Sequence, residues 1–448
     1  MEKKILNREI KKVHFIGIGG AGMCGLALHL LAKGIGVSGS DACLSETTEH
    51  LKSMGAEVFY KHTAKNVKGA DMVVYSSAIN DDNPELLQAK KQKIPTLKRS
   101  QLLGEFIKQF KKSVAISGSH GKTTATAMIA NVLKEASLSP SVFLGGESVD
   151  FGNYLSGDDN LVVLEACEYK RNFLDLNPNI AVVLNVDHDH PDSYKTIDEQ
   201  FFAFSEFIKN KIAVVNADDG YAGKLFNSAC VSFGIQNVAT YTAKKVKAKN
   251  GKYSFTACVY GSPLGKINLS VLGRHNVYNA LATIAVAHLL GVPFSAVKKG
   301  LETFKGVKRR LEFLGTRDKC NFYADYAHHP NEIIATLKCF FEAYGDTGVV
   351  FQPHTYSRTK ALMEDFVGAL KGVSDCVIYK TYSAREKVDE NASAKALYEN
   401  LISKSANNFV YAKSVEELEN AVQNLSKKYK NILFLGAGDI YQIAKSFI

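Results

Sequence analysis

The residues with the clearest chemistry are Lys122, Thr123 and Thr124, in the stretch "SVAISGSHGKTTATAM" at 113–128. A glycine turn ending in Gly-Lys-Thr at the start of a helix aims backbone N–H groups, an ammonium and hydroxyls at one point. That donor set suits a nucleoside triphosphate and its Mg²⁺. The common loop places four residues between its two glycines before Gly-Lys-Ser/Thr. Here only Ser119 and His120 separate Gly118 from Gly121, and Ile116 stands where the first glycine would be. A glycine is required only where backbone must turn or come close, so losing one shortens the cradle without abolishing it. Gly118, Ser119, His120 and Gly121 therefore form the expected cradle, with Lys122 reaching the terminal phosphates and Thr123 or Thr124 ligating Mg²⁺.

A second glycine loop lies upstream. Gly17, Gly19 and Gly22, with Gly20 between them, give G-x-G-x-x-G directly after the strand-like "KVHFI" and before a helical pattern, and "GVSGSD" ends in Asp41. This arrangement lets a diphosphate approach backbone N–H groups and a helix N-terminus, with the acidic residue near a ribose. On the motif alone the default ligand is a nicotinamide dinucleotide, but the motif does not specify which diphosphate. Two different glycine loops point instead to two phosphorylated ligands, which weakens an oxidoreductase reading.

Polar residues follow several apolar runs. Glu165, with Glu168 close by, ends "LVVLE", where a carboxylate can complete a Mg²⁺ shell. "NIAVVLNVDHDHPDSY" delivers Asn185, Asp187, His188, Asp189 and His190, and His190 can ligate a metal. His275, Asn276 and Asn279 open an apolar helix, where an Asn can equally serve as a cap. Arg309, Arg310, Asp325, Tyr326, His328, His329, His354, Tyr356 and Arg358 fall near further strand ends, and arginine forks there suit carboxylate or phosphate.

Strands alternating with helices position these residues, which predicts α/β domains with parallel sheets and ligands at the strands' carboxyl ends. Boundaries are expected near the Lys-rich "KQFKK" and in "ETFKGVKRR", giving domains 1–110, 111–306 and 307–448. The last domain reads as strand, helix and strand through "RRLEFLG", "CNFYADYAHHPNEIIATLKCFFEAYG" and "VVFQP", and it closes with "NILFLGAGDIYQIAK". A length of 448 residues with 46% hydrophobic composition supports large cores. The net charge of +10 is spread without a long basic run, which argues against nucleic acid and for anionic small molecules. The 8 cysteines are scattered with no C-x-x-C pair, as expected of reduced thiols. "MEKKILNREIKK" does not read as a signal peptide, and the longest apolar run, "VYNALATIAVAHLLGV", is too short to span a bilayer. The expectation is a soluble cytoplasmic protein without membrane insertion.

Taken in order, "GIGGAGM", "SGSD", "YSSAI", "GSHGKTT", "EACEYKRNF", "NVDHDHPDSY", "GRHNVYNA", "VKRRLE", "DYAHHP", "HTYSRT" and "FLGAGDI" cover essentially the whole chain. Together they resemble the Mur ligases, ATP-dependent amino-acid ligases of peptidoglycan precursor synthesis. The resemblance implies an N-terminal Rossmann-like domain for a UDP-sugar, a central P-loop ATPase domain and a C-terminal dinucleotide-fold-like domain for the amino acid. It implies UDP-N-acetylmuramate and L-alanine as substrates, with ATP and Mg²⁺ as cofactors and a monomer or homodimer as the assembly. Gly17, Gly19, Gly20, Gly22, Asp41, Ser76 and Ser77 then meet the UDP-sugar, displacing the nicotinamide reading. Glu165 and His190 match positions that hold Mg²⁺, beside Thr123 and Thr124. His275, Asn276 and Asn279 lie by the nucleotide, while Arg310, Tyr326, His329, His354 and Arg358 serve the amino acid and the lactyl group. Lys122, His190, His329 and Arg358 are the implied catalytic residues, with His190 and His329 both open as the base for the amine. One departure is Cys167, where many members carry an aspartate, and it reads as a spectator. No motif for a carbamylated lysine is visible. Within the family the alternative is a ligase that attaches a preformed peptide in cell-wall recycling; outside it, an NAD-dependent oxidoreductase.

Overall fold

Lys12–Ile16 pairs in parallel with Gly36–Ser40 on one side and Met72–Tyr75 on the other, so it is the central strand, and every residue from Val13 to Ile16 is buried. Glu57–Phe59 and Thr96–Lys98 complete a wholly parallel five-stranded sheet. The chain moves outward to one side of Lys12–Ile16, then crosses to the other, so the switch point lies at the carboxyl end of that strand, where Gly17 begins. This computed structural model describes residues 4–6, 8–188, 193–227, 229–384 and 386–448.

A ten-stranded sheet forms the middle of the chain. Lys112–Ser117 lies between Leu161–Glu165 and Ile180–Val183, all parallel, so the segments after Ser117, Glu165 and Val183 emerge along one carboxyl edge. The parallel run continues through Ile212–Asn216, Val231–Gly234 and Tyr241–Lys249. Its edges carry elements the sequence reading did not include. Gly152–Leu155 lies antiparallel to Ser141–Ser148, and Lys252–Val259 and Ser262–Leu272 extend the other side through two tight turns. Those turns are Asn250–Gly251 (φ 48° and 67°) and Tyr260–Gly261 (φ 47° and 80°), the left-handed pairs that two-residue hairpins need.

The C-terminal sheet has six strands, four of them joined in parallel behind Cys320–Asp325. The strand–helix–strand expectation for its first part needs a correction. Glu312–Arg317 forms an antiparallel hairpin with Cys320–Asp325, and only then does the helix Pro330–Tyr344 begin. Asp318 and Lys319 make the turn with φ of 51° and 65° but carry no Asn-Gly signature, which hid the hairpin. Three large sheets with flanking helices, beside a two-stranded one of Lys4–Ile5 and Arg8–Glu9, thus give a three-domain α/β architecture among the described residues. By compactness, Met1–Val246, Ser254–Ser270 and His275–Gly306 form one unit, and Lys247–Tyr253, Val271–Arg274 and Val307–Ile448 a second.

Within the first unit, the helix Ala21–Ala32 buries His29 against the central sheet. Its Nδ1 lies 2.9 Å from the Tyr154 hydroxyl, and the rings of Phe106 and Phe143 pack at 5.0 and 5.5 Å. At 2% exposure, burial, reinforced by the Lys33 charge, pulls the His29 pKa down to about 4. The unfolded chain takes up this proton near 6.5 and the folded one only near 4, so stability is lost as pH falls through that window. The loss is at most about 3 kcal/mol. In His29→Phe the drop in unfolding free energy between pH 7 and pH 5, measured by denaturant titration, should shrink; an equal drop in both proteins would refute the assignment.

Candidate active site

The buried strand Lys112–Ser117 delivers the short loop, and the helix Lys122–Glu135 leaves it. Gly118 has φ 143° and Gly121 φ 82°, conformations that favour glycine. A Cβ on Gly121 would also press the Asn279 Oδ1 at 3.0 Å. The loop is strapped to the segment after Ile180–Val183: His120 N–H donates to Asn185 Oδ1 (2.8 Å), Ser119 N–H to the Asn185 carbonyl (3.2 Å), and Ser119 Oγ to the Asp187 carbonyl (3.0 Å). His120 Nε2 lies 3.2 Å from Asp187 Oδ2, and that contact holds the Asp187 carboxyl below its ordinary range.

Lys122 folds back onto its own loop. Its Nζ donates to the carbonyls of Gly118 (2.5 Å) and Ser119 (3.1 Å) and lies 2.9 Å from Glu168 Oε2. The lysine side chain is 16% exposed and the glutamate 1%. Burial works against the ammonium, but Glu168, helped by Cys167 and Glu165, outweighs it and holds the Lys122 pKa above the ordinary lysine value. Cys167 itself is pushed up by burial and by Glu168, against the pull of Lys122 and Arg99, and it stays a thiol. Glu165, at the carboxyl end of the neighbouring strand, accepts the Gly145 N–H at 2.7 Å. His190 and Asp189 lie outside the described residues.

The helix His275–Leu289 brings Asn276 and Asn279 together at 2.9 Å, side chain to side chain, and Asn279 leans on the loop at Gly121. The same helix supplies Tyr278, whose hydroxyl donates to Asp218 Oδ2 at 3.0 Å. Asp218 also accepts the N–H groups of Ile235, Gln236 and Asn237. These donors outweigh burial and lower its pKa.

At the upstream loop, the Ser40 carbonyl accepts the N–H groups of Gly17 (2.8 Å) and Ile18 (3.0 Å), and Asp41 Oδ2 accepts that of Gly19 (2.9 Å). Ser76 packs beside Gly17, while the Ser77 carbonyl accepts a bond from Lys170 Nζ at 3.2 Å. Gly20 is the residue before the helix Ala21–Ala32, and Gly22 lies in its first turn. A Cβ on Gly22 would meet Arg99 Nη1 at 2.8 Å, so an arginine from the helix Arg99–Ile107 overlies this loop.

The second unit has its own cluster at the ends of Cys320–Asp325 and Gly348–Phe351. His328 and His354 face each other at 5.8 Å, Tyr382 stacks on His354 at 5.4 Å, and Arg358 Nη1 lies 3.3 Å from His354 Nδ1. Burial, with the charges of His328 and Arg358, pulls the His354 pKa down to about 4, leaving a neutral imidazole at pH 7. His329 caps the helix Pro330–Tyr344, its Nδ1 accepting the Asn331 N–H at 3.4 Å. Arg310 sits over the Tyr326 ring at 5.5 Å. Arg309 lies between Tyr326 and Tyr441 and donates to the carbonyls of Gly436 and Gly438, so it holds the "GAGD" loop. Asp325, buried, accepts the N–H groups of Leu311 and Ala327, and burial raises its pKa.

Sequence reasoning left Arg99, Asp218 and Tyr382 out of the candidates and noted Glu168 only as a neighbour. The spacing of Glu168 three residues after Glu165 was the one available signal. The others act through contacts distant in sequence.

Comparison with known proteins gives three matches in chain order: the Mur ligase family catalytic domain over residues 12–111, the Mur ligase middle domain over 116–287 and the Mur ligase glutamate ligase domain over 309–438. The UDP-N-acetylmuramate–L-alanine ligase of Aquifex aeolicus is 42% identical across 99% of this chain and 98% of its own. That of Sulfurihydrogenibium is 41% identical over 97% of both. Among solved structures, the UDP-N-acetylmuramate–alanine ligase of Thermotoga maritima superimposes with a TM-score of 0.84 at 32% identity, covering 97% of this chain and 98% of that one. A murein peptide ligase from Psychrobacter arcticus shares the fold at 22% identity, with a TM-score of 0.73 over 97% of both chains. No helix among the described residues is long and apolar enough to cross a membrane.

Proposed function

Because the chain belongs to the Mur ligase family, we propose that its two glycine loops serve one reaction, with ATP on the loop at Gly118–Gly121 and a UDP-sugar on the loop at Gly17–Gly22. The protein joins L-alanine to the lactyl carboxylate of UDP-N-acetylmuramate in peptidoglycan precursor synthesis, with cleavage of ATP. The observation that carries this reading is the part-buried Lys122 at a short glycine loop, on a chain whose relatives at about 40% identity over the full length are alanine ligases. Peptide-ligase and oxidoreductase readings are not favoured: the peptide-ligase structures are 22% and 27% identical against 32% for the alanine-ligase structure, and a nicotinamide enzyme has no use for the second loop.

In this reading the lactyl carboxylate attacks the γ-phosphorus, giving an acyl phosphate and ADP. The amine of L-alanine then attacks the acyl carbon, phosphate leaves, and a proton is lost from nitrogen. Lys122 neutralises charge spreading over the transferring oxygens. To do so its ammonium exchanges the Gly118 and Ser119 carbonyls for phosphate, while Glu168 stays behind as counter-ion. Asn276 and Asn279 brace the loop. Hydroxyls of Thr123 and Thr124 and the carboxylate of Glu165 are hard oxygen donors that fit Mg²⁺, with His190 as the further ligand. Bound there, Mg²⁺ supplies charge neutralisation on the phosphates.

The diphosphate lies against Gly17, Gly19, Gly20 and Gly22, near Asp41, Ser76 and Ser77. In the second unit Arg310, Tyr326, His329, His354 and Arg358 recognise the amino acid and the lactyl group. The neutral His354 leaves the Arg358 guanidinium as the cation for a carboxylate. We assign domains 1–110, 111–306 and 307–448 to UDP-sugar, ATP and amino acid, and the reaction to the cytoplasm.

The test is phosphate release from Mg²⁺-ATP with UDP-N-acetylmuramate, supplying L-alanine, other amino acids or a tripeptide in turn. Release should require the UDP-sugar and L-alanine together; release with the tripeptide alone would move the protein to recycling. Arg358→Ala should raise the KM for L-alanine by about tenfold or more while the KM for ATP moves little. The reverse order would remove Arg358 from the acceptor site.

A further inference from the structure

Beneath the upstream glycine loop lies a buried polar network that plays no part in the chemistry above. Glu85 is 0% exposed. Its Oε2 accepts the Ser40 hydroxyl at 2.5 Å and lies 3.2 Å from His62 Nδ1. Its Oε1 accepts Asn66 Nδ2 at 2.5 Å and lies 3.7 Å from His14 Nε2. His14, also 0% exposed, binds Ser38 Oγ through Nδ1 at 3.0 Å, and its Nε2 has no hydrogen-bond partner. No lysine or arginine forms an ion pair with this carboxylate among the described residues. Burial opposes its charge, but His14, Ser40 and Asn66 outweigh that and hold Glu85 down at about 2.

A buried carboxylate without a strong cation is costly, and the fold keeps it where four strand-end loops meet. Ser40, whose hydroxyl Glu85 grips, presents the carbonyl that accepts both Gly17 and Ile18 N–H groups. The next residue, Asp41, holds the Gly19 N–H. Glu85 itself lies in the first turn of the helix Pro84–Lys91, which follows the loop whose Ser76 packs beside Gly17. His62 and Asn66 come from the loop after Glu57–Phe59, and His14 from the middle of Lys12–Ile16.

We infer that Glu85 is a positioning residue for sugar-nucleotide binding: it locks Ser40 so that the Ser40 carbonyl and the Asp41 carboxylate hold the Gly17–Gly19 amides in a preformed cradle. The inference rests on the reading that this loop binds the UDP-sugar. Binding to a preformed cradle avoids the ordering cost that a loose loop incurs. In Glu85→Gln the negative charge is lost and one oxygen acceptor becomes a donor facing Ser40 and His62 or Asn66, so the grip is weakened with almost no change in volume.

The test measures the Kd for UDP-N-acetylmuramate by calorimetry, steady-state kinetics and thermal midpoint for wild type, Glu85→Gln, Ser40→Ala and Gly19→Ala. Gly19→Ala probes the loop directly, because its Cβ would lie 2.9 Å from Asp41 Oδ2. The expected result is a rise in Kd and KM for the UDP-sugar of about tenfold in Glu85→Gln and in Ser40→Ala, with kcat and the KM for ATP within about twofold. A lower melting midpoint with unchanged Kd would make the network merely structural and overturn the inference, as would a parallel loss of kcat and of both affinities. If Glu85→Gln does not fold, Ser40→Ala is read by the same criteria. An unchanged Kd in Gly19→Ala would instead sink the reading of the loop itself, whereas weakened binding there with normal binding in Glu85→Gln would sink only the role of Glu85.

Discussion

Lys122→Met should lose about 10²- to 10³-fold or more in ATP-dependent turnover, the scale seen when one preorganised charge-stabilising group is removed. Its binding of UDP-N-acetylmuramate should stay close to wild type, because the Gly17–Gly22 loop takes its contacts from Ser40 and Asp41. Phosphate release and calorimetry on one preparation separate the two effects. Normal turnover would remove Lys122 from the phosphate site. The same substitution should also destabilise the fold. Glu168 is 1% exposed and Lys122 is its ion-pair partner, so methionine leaves a carboxylate in the interior without its cation, a situation that costs about 3–5 kcal/mol.

Lys122→Met/Glu168→Gln should therefore be more stable than Lys122→Met although it carries one more substitution. Replacing both partners removes the stranded charge, and a neutral pair of similar volume is often no worse than the ion pair it replaces. Denaturant midpoints of the wild type, two single variants and the double variant form a cycle whose coupling should favour the pair by more than about 1 kcal/mol. Turnover should remain lost in the double variant. Additive destabilisation would mean that Glu168 already has adequate support without Lys122; recovered turnover would mean that the ammonium is needed for folding and not for phosphoryl transfer. Glu168→Gln alone is informative as well, since the Gly118 and Ser119 carbonyls still hold Lys122, and the cost should be smaller than for Lys122→Met.

The residue types and spacings that mark both glycine loops are local requirements, and they were legible for that reason. A strand that must end, a backbone that must turn at Gly121 and a helix that must start at Lys122 are contiguous in the chain. Apolar runs with turn residues between them likewise announced the α/β class. The hairpin at Asp318–Lys319 escaped because a left-handed turn need not contain glycine, and Asn250–Gly251 escaped although its residue pair is the usual signal.

What the sequence by itself determined is the inventory: two glycine loops, carboxylates and histidines after buried strands, and arginines near strand ends, in an order that matches the Mur ligases. Only the tertiary structure decided which of those groups face each other and which are withdrawn from water. Lys122 and Glu168, 46 residues apart, meet because Lys112–Ser117 and Leu161–Glu165 are adjacent parallel strands that end at the same edge. Glu85 reaches Ser40 across 45 residues for the same kind of reason. A side chain's charge is written in the chain, but its energy depends on how much water the fold removes and which partner it supplies instead. Those two quantities are set by strand order and packing, which residue spacing does not encode.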